Sequence, residues 1–393
     1  MKKYYLSRFI RMGLIRQALK LFWLLPLNKK KVFFSAYEGK QFSCNPRAVF
    51  EGMRGDPAFS DYVFVWELND PAKRSLIDDR RVRFVSHNSF RYVCEILTSG
   101  VLITNSGITA LLPIRKKQLS INTWHGGGAF KRVGYAIKTD MSGDLYELSV
   151  ASRQTTCFLS SSRIFTEVMV DSVMLPPERF APTGMPRNDV LQDGAACEAL
   201  ARKIRAGYGL DADAFIALYA PTYHGAVGED TTDRLPFDAG KLREALQKRF
   251  GRPAVVMVRL HYFNRLPFRE DGVLSVSDYP DMQELLAAAD MLITDYSSSI
   301  WDFSLTGKPC VLYAPDLGSY DEERGFYTPP GTWPGLLCVN DDEMRHAIET
   351  FDGAGYRRRV DAYLRDSGSY DCGDATAKVI EMVRENRAFS EKP

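Results

Sequence analysis

A run of hydroxyl side chains in the second half of the chain has the composition of a phosphate-binding turn. Residues 291–294 (MLIT) are short and apolar enough for a buried parallel strand, and residues 295–299 (DYSSS) follow directly. The apolar spacing of Ile300, Trp301 and Phe303 then predicts a helix. A helix N-terminus at a strand end offers unpaired backbone N–H groups and the positive end of a dipole, and serine hydroxyls add donors without bulk. The run therefore favours phosphate or pyrophosphate binding, with simple N-capping by serine as the alternative.

Histidines at the ends of predicted strands are the candidates for proton transfer. Of the 5 histidines, three follow predicted strands: His125, His224 and His261. Glycines after His125 allow the backbone to approach a ligand closely, and the unperturbed pKa of histidine suits proton abstraction near neutral pH. We therefore predict His125 as a general base and His261 as a donor to phosphate oxygens. His87 and His346 lack such surroundings, and we interpret both as structural residues.

Strand-like and helix-like segments alternate along the chain beyond the N-terminal segment. Runs such as 62–66 (YVFVW) and 254–258 (AVVMV) are typical of buried strands, and helical periodicity lies between such runs. This alternation predicts parallel sheets with helices on both faces, and a breaker-rich segment at 181–186 separates two sets of strands. We predict an α/β fold of two facing Rossmann-like domains, 31–190 and 191–393, the second with a C-terminal helix. Ligands of such sheets collect at strand carboxyl ends, so a cleft between the domains suits a transferase with a nucleotide donor.

Composition excludes several classes of protein. A chain of 393 residues is long enough for two cores, and a net charge of +2 provides no bulk attraction for nucleic acid. The 7 cysteines are scattered without a C-x-x-C pair, as expected of small core residues in a reducing compartment. Nothing in the sequence demands a protein-held metal, so we predict no resident cofactor and leave open a soluble magnesium ion on the phosphates of a ligand.

The N-terminal segment, residues 1–30, is predicted to be an amphipathic helix at a membrane interface. Its longest apolar run, 21–27, is far shorter than the roughly 20 residues that span a bilayer, and no signal-peptide cleavage site follows. Trp23 and the lysines at 29–31 suit the boundary between lipid and anionic headgroups. The alternative is a helix that packs on the protein's own surface. Apolar residues recur at helical spacing: Leu6, Ile10, Leu14, Ala18 and Leu21.

A series of short motifs spans most of the chain after residue 31. The motifs are Trp124-His125-Gly126 with Lys131 and Gly134, Gly184-Met185-Pro186-Arg187-Asn188-Asp189, Tyr219-Ala220-Pro221-Thr222, Leu260-His261, and Thr294-Asp295-Tyr296-Ser297-Ser298 with Asp302-Phe303, Lys308-Pro309, Tyr320 and Arg324-Gly325. Any one motif is a weak signal, but their order and spacing together are specific. Together they resemble the motifs of the CDP-glycerol glycerophosphotransferases, the enzymes that build teichoic acids and related glycerol-phosphate capsule polymers.

The resemblance implies a GT-B-like fold and a chemical role for the matching residues. The implied reaction transfers glycerol phosphate from CDP-glycerol to an acceptor hydroxyl and releases CMP. His125 is the implied general base, Arg187 belongs to the interdomain site, and Asp302 either contacts the ribose or caps the turn. The donor-binding residues are Thr222, His261, Ser297 and Ser298 around the pyrophosphate, with Asp295 and Arg324 from the same motif block; His261 is also a catalytic candidate.

Departures from the family pattern leave the acceptor and the donor polyol open. The chain has Gly127-Gly128 where the family has Thr-Pro, Tyr223-His224 where it has Trp-Arg, and Tyr262 where it has proline. A nucleotide-sugar glycosyltransferase of the same fold, a transferase of another CDP-polyol such as CDP-ribitol, and a non-catalytic nucleotide-binding membrane protein are the alternatives. The expected partners are the CDP-glycerol donor, a lipid-linked or polymeric acceptor, and the cytoplasmic face of the cell membrane, where the protein is held peripherally.

Overall fold

The computed structural model describes residues 2–137, 142–222, 235–260 and 272–391, with the backbone alone for 2–9, 142–145, 323 and 387–391. His224 and His261 lie outside the described residues, so the predicted role of His261 stays a prediction. Within the described part of the chain, the strands form a 7-stranded and a 6-stranded sheet. Every pairing between neighbouring strands is parallel.

The first sheet contains the strands β1 (Asn28–Ser35), β2 (Val63–Glu67), β3 (Val82–Val85), β4 (Ser99–Thr104), β5 (Leu119–Asn122), β6 (Cys157–Leu159) and β7 (Phe180–Ala181). Their order is β3-β2-β1-β4-β5-β6-β7, so the strand order reverses between β1 and β4. Phe33 and Phe34, neighbours in β1, are both buried, and they belong to different core clusters. Both faces of the central strand are therefore covered, as the parallel arrangement requires.

The second sheet repeats this arrangement with β8 (Phe215–Tyr219), β9 (Ala254–Val258), β10 (Val273–Ser275), β11 (Met291–Thr294), β12 (Cys310–Tyr313) and β13 (Leu336–Cys338). Their order is β10-β9-β8-β11-β12-β13, and the reversal falls between β8 and β11. In β11, Leu292 packs in the core cluster that contains Trp301, whereas Ile293 packs on the opposite face with Val311. The carboxyl ends of β8 and β11 therefore meet where a doubly wound sheet binds its ligands.

Several α-helices of the described residues begin at a side chain that caps their first N–H groups. Ser89 accepts a hydrogen bond from the Tyr92 N–H (3.1 Å), and Asp281 accepts one from the Gln283 N–H (2.8 Å). The helices are α1 (Lys2–Leu19), α2 (Cys44–Gly55), α3 (Phe90–Thr98), α4 (Ser142–Gln154), α5 (Arg163–Ser172), α6 (Gly194–Gly207), α7 (Ala239–Phe250), α8 (Met282–Ala288), α9 (Ser299–Ser304), α10 (Leu317–Glu323), α11 (Asp341–Glu349), α12 (Gly353–Ser367) and α13 (Ala375–Glu391).

Internal contacts divide the chain into two compact units. The first unit comprises Met1–His125, Val133–Arg187 and Tyr370–Pro393, and the second comprises Gly126–Arg132 and Asn188–Ser369. The change of unit after Arg187 lies close to the boundary at 190 that the sequence suggests. Two longer segments are assigned differently from the sequence-based division, namely residues 126–132 and the C-terminal segment Tyr370–Pro393, which contains helix α13.

Helix α13 packs in the first unit, although the sequence-based division placed it in the second domain. Val379 and Val383 are buried in the core cluster that also contains Phe50 of α2. A Cβ atom at Gly52 would lie 2.8 Å from Thr376 Cγ2, so the missing side chain at this position lets the two helices approach closely. Helical periodicity shows that a helix has an apolar face but does not show which surface receives it.

The N-terminal segment is held on the first unit by polar contacts. The Arg115 guanidinium donates to the carbonyls of Phe22 (2.9 Å) and Leu25 (2.7 Å), and Trp23 Nε1 donates to the Pro113 carbonyl (2.8 Å). No helix among the described residues is long and apolar enough to cross a bilayer. Several apolar side chains of the segment nevertheless face outward: Ile10 (56% exposed), Leu14 (67%) and Leu24 (86%).

The lysines at 29–31 do not form the exposed basic cluster that the sequence predicted. Lys31 lies in β1 and is buried, and its ammonium donates to Glu95 Oε2 (2.6 Å) and Thr98 Oγ1 (2.5 Å). Lys30 is ion-paired with Asp61. The prediction that Lys31 meets a lipid headgroup is therefore wrong, because its charge is already paired inside the first unit.

Candidate functional site

His125 follows β5 at the carboxyl edge of the first sheet, and its ring is fixed in one tautomer. Its Nδ1 lies 2.9 Å from the carbonyl oxygen of Asn105, which follows β4. A carbonyl only accepts hydrogen bonds, so Nδ1 carries a proton, and in the neutral ring the lone pair is therefore on Nε2. Trp124 stacks on the imidazole with ring centroids 4.6 Å apart, and the Tyr37 ring meets it edge-on at 5.8 Å. These contacts fix the orientation of the imidazole, as the predicted role of His125 as a general base requires.

Asn45, at the start of α2, joins the His125 segment to the segment that contains Arg187. Its side-chain amide donates to the carbonyls of Thr123 (3.0 Å) and Trp124 (3.1 Å), and its Oδ1 accepts the Arg187 N–H (3.0 Å). The Arg187 guanidinium donates to Cys44 Sγ (3.3 Å). One buried amide of the first unit therefore holds both the backbone before His125 and the backbone of Arg187.

Backbone strain concentrates at this edge of the first sheet. Tyr37, Cys44 and Trp124 have left-handed backbones with φ of 50°, 66° and 51°. Such conformations are unfavourable for bulky residues and persist where the surrounding structure enforces them, most often at functional sites. The left-handed backbone at Trp124 directs the imidazole of the next residue, His125, towards the Asn105 carbonyl.

At the carboxyl edge of the second sheet, Asp295 ties the end of β11 to the end of β8. Its Oδ1 and Oδ2 lie 2.8 and 3.0 Å from the Thr222 N–H, and Oδ1 also accepts the Tyr296 N–H (2.5 Å). The Thr222 hydroxyl is buried, and no described residue hydrogen-bonds it. Buried polar groups usually have hydrogen-bond partners, so this hydroxyl is a candidate donor to a ligand. The structure thus brings the predicted residues Thr222 and Asp295 together.

Lys131 and Arg324 place two positive charges beside Asp295. The segment of Lys131 runs antiparallel to the segment of Arg324. The Arg132 N–H donates to the Gly325 carbonyl (3.0 Å), and Lys131 and Phe326 form an isolated antiparallel β-bridge. Burial, reinforced by the charge of Arg324 and opposed by that of Asp295, lowers the pKa of Lys131 to about 8. The motifs include Lys131, but sequence reasoning gave it no role because its neighbours come from a distant segment.

The three consecutive serines have different roles: Ser297 accepts hydrogen bonds from Ser299, whereas Ser298 makes no capping hydrogen bond. Ser297 Oγ accepts the Ser299 N–H (3.3 Å) and the Ser299 hydroxyl (2.9 Å), so Ser297 takes the capping role that the sequence left as the alternative. The Ser298 side chain makes no capping hydrogen bond. The helix that follows, α9, is only 6 residues long, so its dipole adds less than the sequence suggested.

Asp302 is buried in the second unit and accepts hydrogen bonds from two side-chain amides. It is 1% exposed, and its two carboxylate oxygens accept the side-chain amides of Asn188 (2.9 Å) and Gln283 (3.0 Å). A carboxylate enclosed by buried amides is satisfied where it lies. Asp302 therefore holds the Asn188 segment against α8 and α9, and its predicted contact with a ribose stays a prediction.

Packing explains why glycines stand where the family has Thr-Pro. A Cβ atom at Gly127 would lie 2.2 Å from Trp301 Cδ1, and one at Gly128 would lie 2.0 Å from Phe130 Cε2. Both rings are buried in the core of the second unit. Large aromatic residues occupy the space that side chains would need at 127 and 128, so this departure reflects local packing in the second unit.

The described residues contain no group of three or more His, Cys, Asp or Glu side chains that could hold a metal ion. The polar groups of the second unit around Asp295 are instead donors and cations: the Thr222 and Ser298 hydroxyls, the Lys131 ammonium and the Arg324 guanidinium. Donors and cations together match the oxygens of a phosphate or pyrophosphate.

Two Rossmann-like units, each with a polar site at the carboxyl edge of its sheet, define a GT-B-like transferase fold. The solved structure of the wall teichoic acid polymerase TagF has this fold, with a TM-score of 0.82 and 24% sequence identity over 100% of both chains. Residues 17–385 match the family described as CDP-Glycerol:Poly(glycerophosphate) glycerophosphotransferase. The chain belongs to this family and is therefore a transferase, as the motifs implied.

Similar proteins include enzymes named for either polyol. The chain is 28% identical to the teichoic acid poly(glycerol phosphate) polymerase of Bacillus spizizenii, over 93% of this chain and 94% of that protein. It is also 28% identical to the teichoic acid ribitol-phosphate primase of the same organism, over 97% of each. Family membership thus confirms the predicted class of enzyme. It does not decide whether the donor carries glycerol or ribitol.

Proposed function

We propose that this protein transfers glycerol phosphate from CDP-glycerol to a hydroxyl of a lipid-linked or polymeric acceptor and releases CMP. The observation that carries the proposal is the His125 imidazole, whose Nδ1 is fixed on the Asn105 carbonyl at 2.9 Å. Its Nε2 takes the proton of the acceptor hydroxyl. The acceptor oxygen then forms a bond to the glycerol-bearing phosphorus, and the bond from that phosphorus to the oxygen of the CMP phosphate breaks in line.

The second unit binds the donor in this proposal. Lys131 and Arg324 carry like charges that repel each other, and no described residue accepts a hydrogen bond from the Lys131 ammonium. A donor pyrophosphate would relieve this repulsion and accept hydrogen bonds from both cations and from the Thr222 and Ser298 hydroxyls. Phosphoryl transfer depends mainly on positioning and charge stabilisation, which these groups provide. Soluble magnesium would accompany the donor phosphates rather than occupy a protein site.

CDP-ribitol is the second candidate donor, because a ribitol-phosphate primase matches over 97% of both chains at the same 28% identity as the glycerol-phosphate polymerase. Competition between CDP-glycerol, CDP-ribitol and a UDP-sugar, with mass analysis of the product, would decide the donor. A product that carries a sugar would overturn the proposal in favour of a glycosyltransferase. Release of CMP only on addition of acceptor would exclude a non-catalytic nucleotide-binding protein.

The base is tested with His125→Ala, and His346→Ala serves as the control because His346 is exposed on α11. Loss of a positioned base costs about 10²–10⁴ in rate, so His125→Ala should lose transfer and keep its affinity for the donor. Calorimetric titration measures donor affinity, and a coupled assay measures CMP release. Turnover near that of the wild type in a folded His125→Ala protein would refute the assignment.

The outward apolar side chains of the N-terminal segment support the proposal of a peripheral site on an anionic membrane surface. Leu14 and Leu24 are exposed on the first unit, and Arg115, which binds the carbonyls of this segment, is followed by the exposed Lys116 and Lys117. Apolar side chains beside lysines suit a headgroup boundary, where each basic residue contributes on the order of 1 kcal/mol. In this proposal, Lys116 and Lys117 provide the positive charge that the sequence analysis assigned to the lysines at 29–31.

A further inference from the structure

A second histidine at the carboxyl edge of the first sheet is anchored in the same way as His125. His87 follows β3, and its Nδ1 lies 2.5 Å from Oε1 of Glu67, the last residue of β2. Glu67 is buried, whereas the His87 side chain is 30% exposed. No described residue hydrogen-bonds its Nε2. An imidazole held at Nδ1 by a buried carboxylate has a defined orientation and leaves Nε2 for a ligand.

Glu67 positions His87 and is itself closed off from ligands. Its carboxylate also takes a hydrogen bond from Ser35, at the end of β1, and burial raises its pKa although the bonds from Ser35 and His87 oppose that rise. The turn after β1 covers it, since a Cβ atom at Gly39 (φ +75°) would lie 2.8 Å from Glu67 Cγ. The carboxylate therefore acts only through the imidazole of His87.

Hydrogen bonds connect this pair to His125 within the first unit. The Asn105 N–H donates to the Ser35 carbonyl (3.3 Å), and the Asn105 carbonyl accepts from His125 Nδ1 (2.9 Å). The two imidazoles are thus anchored on β2 and on the residue after β4, which are two strand spacings, about 10 Å, apart. An extended acceptor chain could contact both.

Two further observations indicate a ligand at this edge. Asn105 is fully buried at the reversal of strand order, and its Nδ2 has no hydrogen-bond partner among the described residues. Glu38, whose charge acts on Glu67, has a left-handed backbone with φ of 56°. An unpaired buried donor and local backbone strain are both typical of binding sites.

We propose that His87, positioned by Glu67, is a second acceptor-binding residue of the first unit. It binds a hydroxyl on the acceptor residue next to the one that His125 deprotonates. The inference rests on the proposed function and adds to it the part of the acceptor that is recognised.

The chemistry of the pair favours a hydroxyl over a phosphate. The negative charge of Glu38 acts on Glu67, which itself holds the imidazole, so both carboxyl groups disfavour an anion at this position. Lys40 lies 3.9 Å from Glu38 and is drawn to that carboxylate. A sugar or polyol hydroxyl both donates and accepts, so it can bind Nε2 of a neutral or a protonated ring. By contrast, the cationic groups Lys131 and Arg324 in the second unit favour a phosphate over a hydroxyl.

The test compares acceptors that carry one or two glycerol phosphate units on the same alkyl carrier, at saturating donor. His87→Ala should raise the KM for the two-unit acceptor about 3- to 10-fold, as expected for one lost hydrogen bond, with little change in kcat or donor affinity. The one-unit acceptor lacks the neighbouring residue, so its KM should not change. Glu67→Gln keeps the size of the side chain and should show the same pattern more weakly.

The controls separate failure of this inference from failure of the proposed function. If the wild-type protein transfers nothing from CDP-glycerol or CDP-ribitol to either acceptor, the inference falls together with the proposed function. If it transfers normally and the variants raise both KM values equally, or neither, His87 is structural and the inference alone is overturned. His346→Ala should behave as wild type, and thermal unfolding of each variant checks the fold.

Discussion

Replacing Lys131 by methionine should stabilise the protein and weaken donor binding at the same time. Methionine keeps an unbranched apolar stem and removes the ammonium. Burial beside Arg324 lowers the Lys131 pKa from its ordinary value of 10.5 to about 8, which corresponds to about 3 kcal/mol of folding free energy at pH 7. Lys131→Met removes this penalty, so its free energy of unfolding should rise by up to that amount.

The lowered pKa of Lys131 also predicts how the stability of the folded protein changes with pH. Between pH 8 and 10.5 the unfolded chain holds the Lys131 proton and the folded protein does not. The unfolded state then binds more protons, so the stability of the wild type rises with pH across this window. Below about pH 8 both states are protonated and the penalty is constant. Lys131→Met should lack this contribution to the rise.

Donor binding should change in the opposite direction. A hydrogen bond to a charged group contributes roughly 1.5–3 kcal/mol, so Lys131→Met should bind CDP-glycerol about 10- to 150-fold more weakly. Urea unfolding at pH 7 and pH 9.5 measures stability, and calorimetric titration with CDP-glycerol measures affinity. A residue whose removal stabilises the fold and impairs binding is retained for function.

Lys308→Met is the matched control in the same unit. Burial also lowers the pKa of Lys308, but its ammonium donates to the carbonyls of Ala287 (2.9 Å) and Ala289 (2.7 Å) at the end of α8. Lys308→Met should therefore lose stability and keep its donor affinity. Loss of stability in Lys131→Met, or unchanged affinity in a folded variant, would show that the Lys131 charge serves packing and not the donor.

Three further outcomes follow from local geometry. Ser298→Ala should weaken CDP-donor binding about tenfold or more by calorimetry, because it removes a donor to a charged ligand; unchanged affinity would return this serine to a packing role. Gly127→Ala should lower thermal stability, because the new methyl group would meet Trp301 at 2.2 Å; a wild-type melting temperature would contradict that packing. Leu14→Glu with Leu24→Glu should abolish salt-sensitive sedimentation with anionic liposomes while transfer to a soluble acceptor persists. Point substitutions suit this last test better than truncation, because polar contacts hold the segment on the first unit; undiminished vesicle binding would place the membrane contact elsewhere.

Sequence patterns predicted the parts of the protein that depend on local physics. Short apolar runs such as residues 291–294 became buried parallel strands, because a strand covered on both faces has few alternatives. Histidine at a strand end followed by glycines located His125, and motif order located the family. Thr222 and Asp295 came together because strands adjacent in a parallel sheet bring their carboxyl ends to one edge.

Other features depended on which distant residues meet, and only the tertiary structure decided them. The position of Asp302 beside a serine run predicts a contact with the ribose or a cap on the turn. In the structure, its carboxylate accepts hydrogen bonds from two buried side-chain amides of distant segments. Lys31 reads as part of a basic cluster, yet Glu95 pairs it inside the core.

The same reason explains the residues that sequence reasoning left without a function. His87 and Lys131 gain their proposed roles from Glu67 and Arg324, which lie far from them along the chain. Periodicity and residue type fix what a segment can bury and what a side chain can donate. The partner that satisfies a buried charge is fixed only when the chain packs, because burial and charge pairing depend on distances between segments that local sequence does not set.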